Sequence, residues 1–425
     1  MQIAKISVGA AIMLAALVCN SQGAARLTTI YQSASGPDAL VPTSVLSDGN
    51  GGFYGTMTSG AQMGEVFHLT PPAETGGVWT ETAIYTFTGG AGGTIPNPGL
   101  TMDGQGNLYG SAMGGTPTAV CSTGCGVVFQ LTPPSSESGG GWTENVLYAF
   151  TGAADGGGAY GALAIDKNGA LYGAAPGGGA PCSGQGCGVV FRLTPPGAGG
   201  AWSYRVLYSF QGGTDATNPM NGVILGKDGA LYGATERGGP AGDGAVFQLK
   251  PPKSAGGAWS EELLYGFAYA DPANGYYPST NLVSGPNGTL YGGTSDGGDL
   301  SCAPYAGLGC GVVYSLTPPT AAGGAWTYAV IEAFDGSQGY VPLLLVALNG
   351  GELLGLTESG PKGNGSIFAL KPPTAGGGFW SQTTVWNFTV DTPDSLIESG
   401  GKLYGTTRAY YQRQPSMGRV FQAVF

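Results

Sequence analysis

Few residues of this chain have types and spacing that suit covalent cross-links, ligand binding or catalysis. The cysteines show the clearest pattern. Six of the seven cysteines fall as close pairs, and the second member of each pair is followed by Gly-Val-Val and an aromatic residue. The pairs are Cys121 with Cys125, Cys182 with Cys187, and Cys302 with Cys310. Because the pairs lack Cys-x-x-Cys spacing and a nearby histidine, they predict three local disulfides rather than a zinc site, and therefore an oxidising compartment.

A second set consists of tyrosines, aspartates and one arginine in segments of variable length. Exposed tyrosines beside carboxylates suit stacking on sugars or contacts with protein, so we predict a ligand-binding face here. The alternative interpretation is that these are ordinary polar loops. The candidates are Tyr160, Tyr276, Tyr277, Tyr305, Tyr340, Asp155, Asp271, Asp296, Asp299 and Arg237.

Catalytic patterns are weak by comparison. The single histidine, His68, follows Phe67 in an apolar run, which predicts a packing or edge position rather than a Ser-His-Asp arrangement. No pair of carboxylates stands out for glycoside chemistry, and no phosphate loop or dinucleotide fingerprint occurs. We expect no catalytic residues.

Three aspartates precede turns rich in Gly or Asn: Asp48, Asp103 and Asp166. Calcium binding is one interpretation, but glycine holds the same position at Gly226 and Gly285, so we predict that each aspartate caps its own turn. No specific motif supports Ca²⁺, and no cofactor or metal is predicted.

Composition narrows the classes of partner. With 10% charged residues and a net charge of −11, the chain has no basic patch for nucleic acid or an anionic membrane. Although 82 residues are Gly, 42% are hydrophobic, so a sizeable core is expected. We expect a monomer.

The first 25 residues predict a signal peptide. Lys5 precedes an apolar run over residues 6–18 that is too short to span a bilayer, and small residues near position 24 suit cleavage. The mature chain would begin at Arg26, without a transmembrane segment, in a secreted, periplasmic or cell-surface location. Lipidation at Cys19 is disfavoured because Val18 is not small.

A repeated sequence motif extends over the rest of the chain after that segment. An apolar residue, Tyr and Gly are followed by Val-Phe-x-Leu-x-Pro-Pro and then Trp, about every 58 residues. Within each copy, alternating apolar residues and Gly- or Pro-containing turns predict four β-strands and no helix. The motif tyrosines are Tyr54, Tyr109, Tyr172, Tyr232, Tyr291 and Tyr404, with Leu354 in the sixth copy.

Trp and Phe lie eight residues apart in the fourth strand of each copy, as in Trp142 and Phe150. An even spacing predicts that both rings share one face of the strand. A surface ladder of aromatic rings is conceivable, but packing between neighbouring sheets is favoured.

Seven four-stranded antiparallel units predict an all-β fold, a seven-bladed β-propeller. The last copy lacks its fourth strand, and residues 27–31 match that strand in type, so the N-terminal strand should close the ring. A linear solenoid is the alternative. The predicted domain spans residues 26–425, with blades at about 39–88, 95–151, 160–211, 220–268, 280–335, 341–389, and 394–425 plus 26–33.

The segments Asn107-Leu108-Tyr109-Gly110 and 126–133 resemble the GloVer tandem repeat of bacterial choice-of-anchor proteins. The resemblance extends over nearly the whole mature chain. It implies an exported or surface-attached repeat protein of bacterial origin without an assigned activity, and it supplies no catalytic residues.

Strand parity separates two ends of such a ring. The loops between second and third strands vary in length and hold all the cysteine pairs, whereas the turns at the other end barely vary. Because loop variation on a rigid scaffold often builds binding surfaces, we expect a non-catalytic binding or surface-scaffold module for extracellular glycan or protein. The alternative is an extracellular carbohydrate-active hydrolase or lyase with its site at the channel mouth.

Overall fold

The computed structural model describes residues 25–424 apart from 35–39, 59–62, 75, 136–139, 183–185, 198–199, 255, 303–306, 322, 361, 374–378 and 412–413. Seven antiparallel sheets form a ring, which confirms the β-propeller. Cys19 lies outside the described residues, and so does the predicted signal peptide apart from Ala25. None of the described helices is long and apolar enough to cross a membrane.

Each blade runs from an inner strand at the central channel to an outer strand at the rim. The inner strands are Val41–Ser47, Thr101–Met102, Ala164–Ile165, Ala216–Leu225, Tyr276–Pro278 with Val283–Ser284, Tyr340–Ala347 and Thr392–Ser399. The second strands are Phe53–Thr58, Leu108–Ala112, Leu171–Ala175, Leu231–Gly238, Leu290–Asp296, Leu353–Ser359 and Lys402–Tyr411.

The third strands are Gly64–Thr70, Val127–Thr132, Val189–Thr194, Ala245–Lys250, Val312–Thr317, Asn364–Lys371 and Gln414–Val424. The outer strands are Thr80–Thr86, Thr143–Ala149, Ser203–Ser209, Ser260–Gly266, Thr327–Ala333, Ser381–Phe388 and, in blade 7, Arg26–Gln32. Short 3₁₀ turns occur at Gly90–Gly92, Pro272–Asn274 and Pro286–Gly288.

The N-terminal strand closes the ring, as predicted. Arg26–Gln32 pairs antiparallel with the third strand of blade 7, and Ser33 exchanges two hydrogen bonds of 2.9 Å with Gly418. Blade 7 also packs on blade 1, where the rings of Phe53 and Tyr404 lie 4.4 Å apart. The N-terminal strand thereby supplies the fourth strand of blade 7.

The Tyr-Gly motif has a packing reason at its glycine. A Cβ added to Gly110 would lie 2.7 Å from the ring of Phe129, and one added to Gly405 would lie 2.6 Å from Phe421. Both phenylalanines come from the third strand of the same blade and are fully buried. The glycine therefore leaves room for the aromatic ring at the centre of each sheet.

The predicted shared face of Trp and Phe in the outer strand is wrong. Trp202 of blade 3 packs on Tyr109 of blade 2, whereas Phe210 packs on Phe247 of blade 4. A β-bulge near Leu207 shifts the register between these positions. Because one extra residue reverses the alternation of side chains, the two rings contact opposite neighbours and tie three blades together. Packing between sheets, the favoured interpretation, is confirmed.

Strand direction gives the ring two ends. We call the end with the first-to-second and third-to-fourth strand turns the turn end, and the other the loop end. The loop end holds the second-to-third loops and the connections between blades. Every inner strand therefore begins near the loop end and finishes at the turn end.

Candidate functional site

A groove of about 820 Å³ lies between blades 2 and 3 at the turn end. This volume falls in the range of ligand sites. Its wall combines one tryptophan with carboxylates, amides and a lysine, and we call it the interblade groove. Its lining includes Asp103, Gln105, Asn107, Tyr109, Gln130, Asn145, Asp166, Lys167, Asn168, Pro195, Pro196 and Trp202.

Asp103 shapes one wall of the interblade groove by capping its own turn. Its Oδ1 accepts hydrogen bonds of 2.9 Å from the backbone N–H groups of Gln105 and Asn107, while its Oδ2 accepts from Tyr109 and the Asn107 side chain. Burial by itself would raise the pKa of Asp103, but these donors outweigh it and hold the pKa below its usual range. Asp103 is therefore an ionised structural group.

Asp166 caps the facing turn in the same way. Its Oδ1 accepts from the backbone N–H groups of Asn168 at 2.8 Å and Ala170 at 3.0 Å. Asp48 caps the equivalent turn of blade 1 through Asn50 and Gly52. The predicted role of these three aspartates as turn caps is confirmed.

Trp202 and Tyr109 form the aromatic part of the interblade groove. Their ring centroids lie 6.0 Å apart at an angle of 63°, so the edge of one ring meets the face of the other. Tyr109 is only 4% exposed, and its hydroxyl donates to Asp103 and accepts from Gln130 at 3.1 Å. Burial, with a contribution from Asp103, raises the pKa of Tyr109 and keeps it neutral. Trp202, which is half-buried, is the ring that a ligand can reach.

Several polar groups of the groove are not used by the fold. The side chains of Gln105, Asn145, Lys167 and Asn168 make no hydrogen bond to other residues that the structure describes. Side-chain amides both donate and accept hydrogen bonds. The positive charge of Lys167 offsets the negative charge of one of the two carboxylates in the lining. The groove can therefore hydrogen-bond a neutral, hydroxyl-rich ligand that also contacts Trp202.

The neighbouring junction between blades 1 and 2 has different chemistry. His68 takes the place of Gln130, with its Nε2 3.0 Å from Asp48 Oδ2 and its ring centre 4.6 Å from that of Tyr54, tilted by 31°. His68 lies in the third strand of blade 1, as predicted, and its partner Asp48 is a turn cap. The sequence analysis missed the groove itself, although amide-rich turns in adjacent copies, with Asn107 and Asn168, were a signal.

All three predicted disulfides are present at the loop end. They join Cys121 to Cys125, Cys182 to Cys187 and Cys302 to Cys310, with Cα separations of 5.3, 5.1 and 5.9 Å. In blade 2, Thr118, three residues before Cys121 in the same second-to-third loop, donates to the carbonyl of Thr151 in the connection to blade 3, at 3.0 Å. The disulfide loop is thus anchored to the next blade.

The predicted ligand tyrosines differ in exposure. Tyr276 is 1% exposed and donates to the Leu308 carbonyl at 2.8 Å, so it is a packing residue rather than an exposed contact. Tyr277 is half-buried, and the Arg237 guanidinium lies 4.9 Å from its ring centre. Tyr340 is half-buried at the start of an inner strand. Tyr305 lies outside the described residues.

Most of the predicted ligand aspartates are occupied by local contacts. Asp155 accepts from Tyr148 and from the Thr151 backbone, both at 2.8 Å, and so holds the connection between blades. Asp271 accepts from Asn274 at 2.6 Å and Asp299 from Ser301 at 2.8 Å. Burial raises the pKa of Asp296, which pairs with Tyr276 in the sheet. Their use by a ligand stays a prediction.

Tyr160 lies apart from the others, at the channel. Burial raises the pKa of its hydroxyl, the Arg408 guanidinium lowers it and the Asp394 carboxylate raises it again. Both charged groups belong to blade 7, where Arg408 Nε lies 2.9 Å from Asp394 Oδ1. Tyr160 therefore lies within electrostatic range of two residues that the sequence did not single out.

A family model of the Gloeobacter/Verrucomicrobia repeat matches residues 112–368, which is more than half of the chain. The chain belongs to this repeat family. The resemblance to the GloVer repeat is therefore confirmed. A search of curated proteins found no match for this repeat protein.

Several solved structures match the chain at low identity. Trypanosoma rangeli sialidase in complex with the inhibitor DANA is 11% identical with a TM-score of 0.39, over 83% of this chain and 57% of that one. Polysaccharide lyase Uly1 is 12% identical with a TM-score of 0.49, over 90% of both chains. The NanB sialidase from Streptococcus pneumoniae is 12% identical with a TM-score of 0.43, over 94% and 70%. The repeat protein thus spans 57% of the length of the first sialidase, and these similarities concern the fold alone.

Proposed function

We propose that this Gloeobacter/Verrucomicrobia repeat protein is an exported, non-catalytic glycan-binding module that holds a neutral saccharide in the interblade groove. The observation that carries the proposal is the lining of the groove: Trp202 beside four polar side chains that the fold does not use. Aromatic surface with a few converging polar groups is the usual composition of a small-ligand site. Three disulfides support export.

The shape and charge of the groove favour a glycan over a protein. A concavity of about 820 Å³ encloses a few sugar units, whereas protein partners usually bury broader and flatter surfaces. Asp166 is paired with Arg192 at 4.0 Å and Lys167 offsets Asp103, so the charges at the groove nearly balance. A neutral chain with many hydroxyl groups fits the amides best.

An array of neutral, acidic and aminated oligosaccharides tests this proposal directly. We expect the protein to retain neutral members and Trp202→Ala to weaken that binding about tenfold or more, which corresponds to ~1.4 kcal/mol. The matched control is Trp326→Ala, because Trp326 makes the same contact with Tyr232, at 5.9 Å, outside the groove. Equal losses in both variants would show that Trp202 acts through packing.

A second matched pair isolates the polar wall. Lys167→Ala removes a lining side chain, whereas Lys227→Ala changes the equivalent turn of blade 4, which does not line the groove. We expect only the first to weaken binding. New reducing or unsaturated ends on a bound glycan would contradict the non-catalytic assignment and favour the carbohydrate-active enzyme.

A further inference from the structure

The interblade groove crosses the full width of a blade. The pairing of the strands places Thr101, Tyr109, Gln130 and Asn145 side by side, one on each strand of blade 2. The last three line the groove, and so does Met102, the neighbour of Thr101 on the inner strand. Because neighbouring strands lie about 4.8 Å apart, three such steps make the groove about 14 Å long. The groove therefore runs from the central channel to the rim of the ring.

The facing wall, on blade 3, follows the same path. It begins at Ile165, the last residue of the inner strand, and continues through Pro195, which directly follows the third strand. It ends at Trp202, which directly precedes the outer strand. Both walls thus contribute lining residues all the way from the inner strand to the outer strand.

The polar side chains that the fold does not use lie at two separate places in the groove. Gln105, Lys167 and Asn168 lie in the turns between inner and second strands, whereas Asn145 lies on the outer strand of blade 2. Two strand spacings, about 10 Å, separate Asn145 from the second strand. A single sugar ring is shorter than this distance, so one sugar unit cannot hydrogen-bond at both places.

Both ends of the groove are accessible to solvent. At the channel end, Met102 and Ile165 are half-buried, and at the rim end Asn145 is exposed. A site for the terminus of a chain is closed on one side, because it must stop the chain there. A ligand longer than this groove can instead continue past either end.

On the basis of the glycan-binding function above, we propose that the interblade groove holds an internal segment of a neutral glycan chain that runs between the channel and the rim. A sugar unit in an extended chain advances by roughly one strand spacing, so the segment is about three units long. Gln105, Lys167 and Asn168 would bind hydroxyl groups of the unit nearest the channel, and Asn145 those of the unit nearest the rim. The ligand class is therefore an oligomeric or polymeric glycan rather than a single sugar or a chain terminus.

Isothermal titration calorimetry on the full chain tests the length of the segment. The ligands are laminari-, malto- and manno-oligosaccharides of one to five units, together with the matching soluble polymers. For the series that binds best, we expect the affinity to rise at least about tenfold from one unit to three and to change less than about threefold from three to five. The polymer should bind as tightly per segment as the trisaccharide, because no chain end is needed.

Two exposed lining residues, one at each place, test the span of the ligand. Asn145→Ala and Lys167→Ala should each weaken binding of the trisaccharide about threefold to tenfold, which is the effect of one lost hydrogen bond. The monosaccharide should be weakened by at most one of them. The matched control is Thr82→Ala, because exposed Thr82 holds the position of Asn145 in blade 1, outside the groove.

The outcomes separate this site from the function on which it rests. Equal affinity for one unit and for three, or binding of oligosaccharides but not of the polymer, would overturn the internal-segment site and leave the glycan-binding function in place. Equal losses of monosaccharide binding in both variants would overturn it too, since a single unit would then touch both places. If no oligosaccharide of any length binds, the glycan-binding function fails and this site fails with it.

Discussion

At the turn end, Asp103 accepts four hydrogen bonds from its own turn and from Tyr109, whereas at the loop end Asp394 keeps one buried oxygen without a donor in the described part of the chain. The difference follows from the local backbone. A short turn supplies N–H groups to a carboxylate that precedes it, while a bulged inner strand supplies none at Oδ2. The first aspartate therefore builds the scaffold, and the second keeps a buried acceptor that the described part of the chain does not satisfy.

The two ends also differ in how their surfaces are made. The turn end repeats short turns, and its groove arises where two amide-rich turns meet. The loop end carries the three disulfides in its second-to-third loops. Variation in loop length among the seven copies pointed to the loop end, yet the interblade groove lies at the turns of nearly constant length.

The largest expected effect tests whether different blades contribute equally to the core that supports both ends. Phe129→Ala in blade 2 should lower the free energy of unfolding by ~3–5 kcal/mol, because it empties a fully buried site. Phe247→Ala in blade 4, also fully buried, should cost a similar amount. Urea unfolding measures both. A negligible loss in either variant would contradict the assignment of these rings to a shared core.

A smaller effect should be confined to the loop end. Replacing Cys182 and Cys187 together by alanine should cost roughly 2 kcal/mol, since the disulfide closes only a short loop. Thermal unfolding measures this loss, and glycan binding in the interblade groove should stay unchanged. Weakened groove binding in this variant would show that the two ends are coupled.

The smallest effect is the pH dependence of the free energy of unfolding. Its direction follows from the burial of a carboxyl group. Burial, with a contribution from Glu81, raises the pKa of Glu65 from 4.5 to about 7. A raised pKa means that the folded state binds the proton more tightly, so this stabilisation is complete below pH 4.5 and is lost as the pH rises through about 7.

Glu65→Gln should therefore flatten the decline in stability of the native protein between pH 5 and pH 8, by an amount on the order of 1 kcal/mol. Chemical unfolding of both proteins across this range measures the effect. Glu74→Gln, an exposed control, should change nothing. An identical pH slope in Glu65→Gln and the native protein would show that Glu65 ionises normally.

Much of the fold was accessible from the sequence because it depends on local and periodic features. The recurring Tyr-Gly, Pro-Pro and Trp positions predicted the strands, and residues 27–31 predicted the closing strand, which pairs as expected with the last sheet. The shared face of Trp202 and Phe210 was predicted wrongly. A bulge depends on how two strands pair, and the spacing within one strand does not reveal it.

The candidate sites were less accessible for the same reason. Cysteine spacing determined the three disulfides, because their partners lie within a few residues. Tyr276 looked exposed among polar residues but is buried by the loop that contains Leu308. The interblade groove joins residues from two blades, so no single segment of sequence contains it.

By itself, the sequence determined the number of blades, the order of their strands, the closure of the ring and the disulfide pairs. Each of these features depends on short sequence patterns that recur along the chain. Only the tertiary structure decided which side chains meet across blades: Trp202 on Tyr109 at the turn end, and Phe53 on Tyr404 where the ring closes. The physical reason is that closing the ring brings together residues that are far apart in the chain.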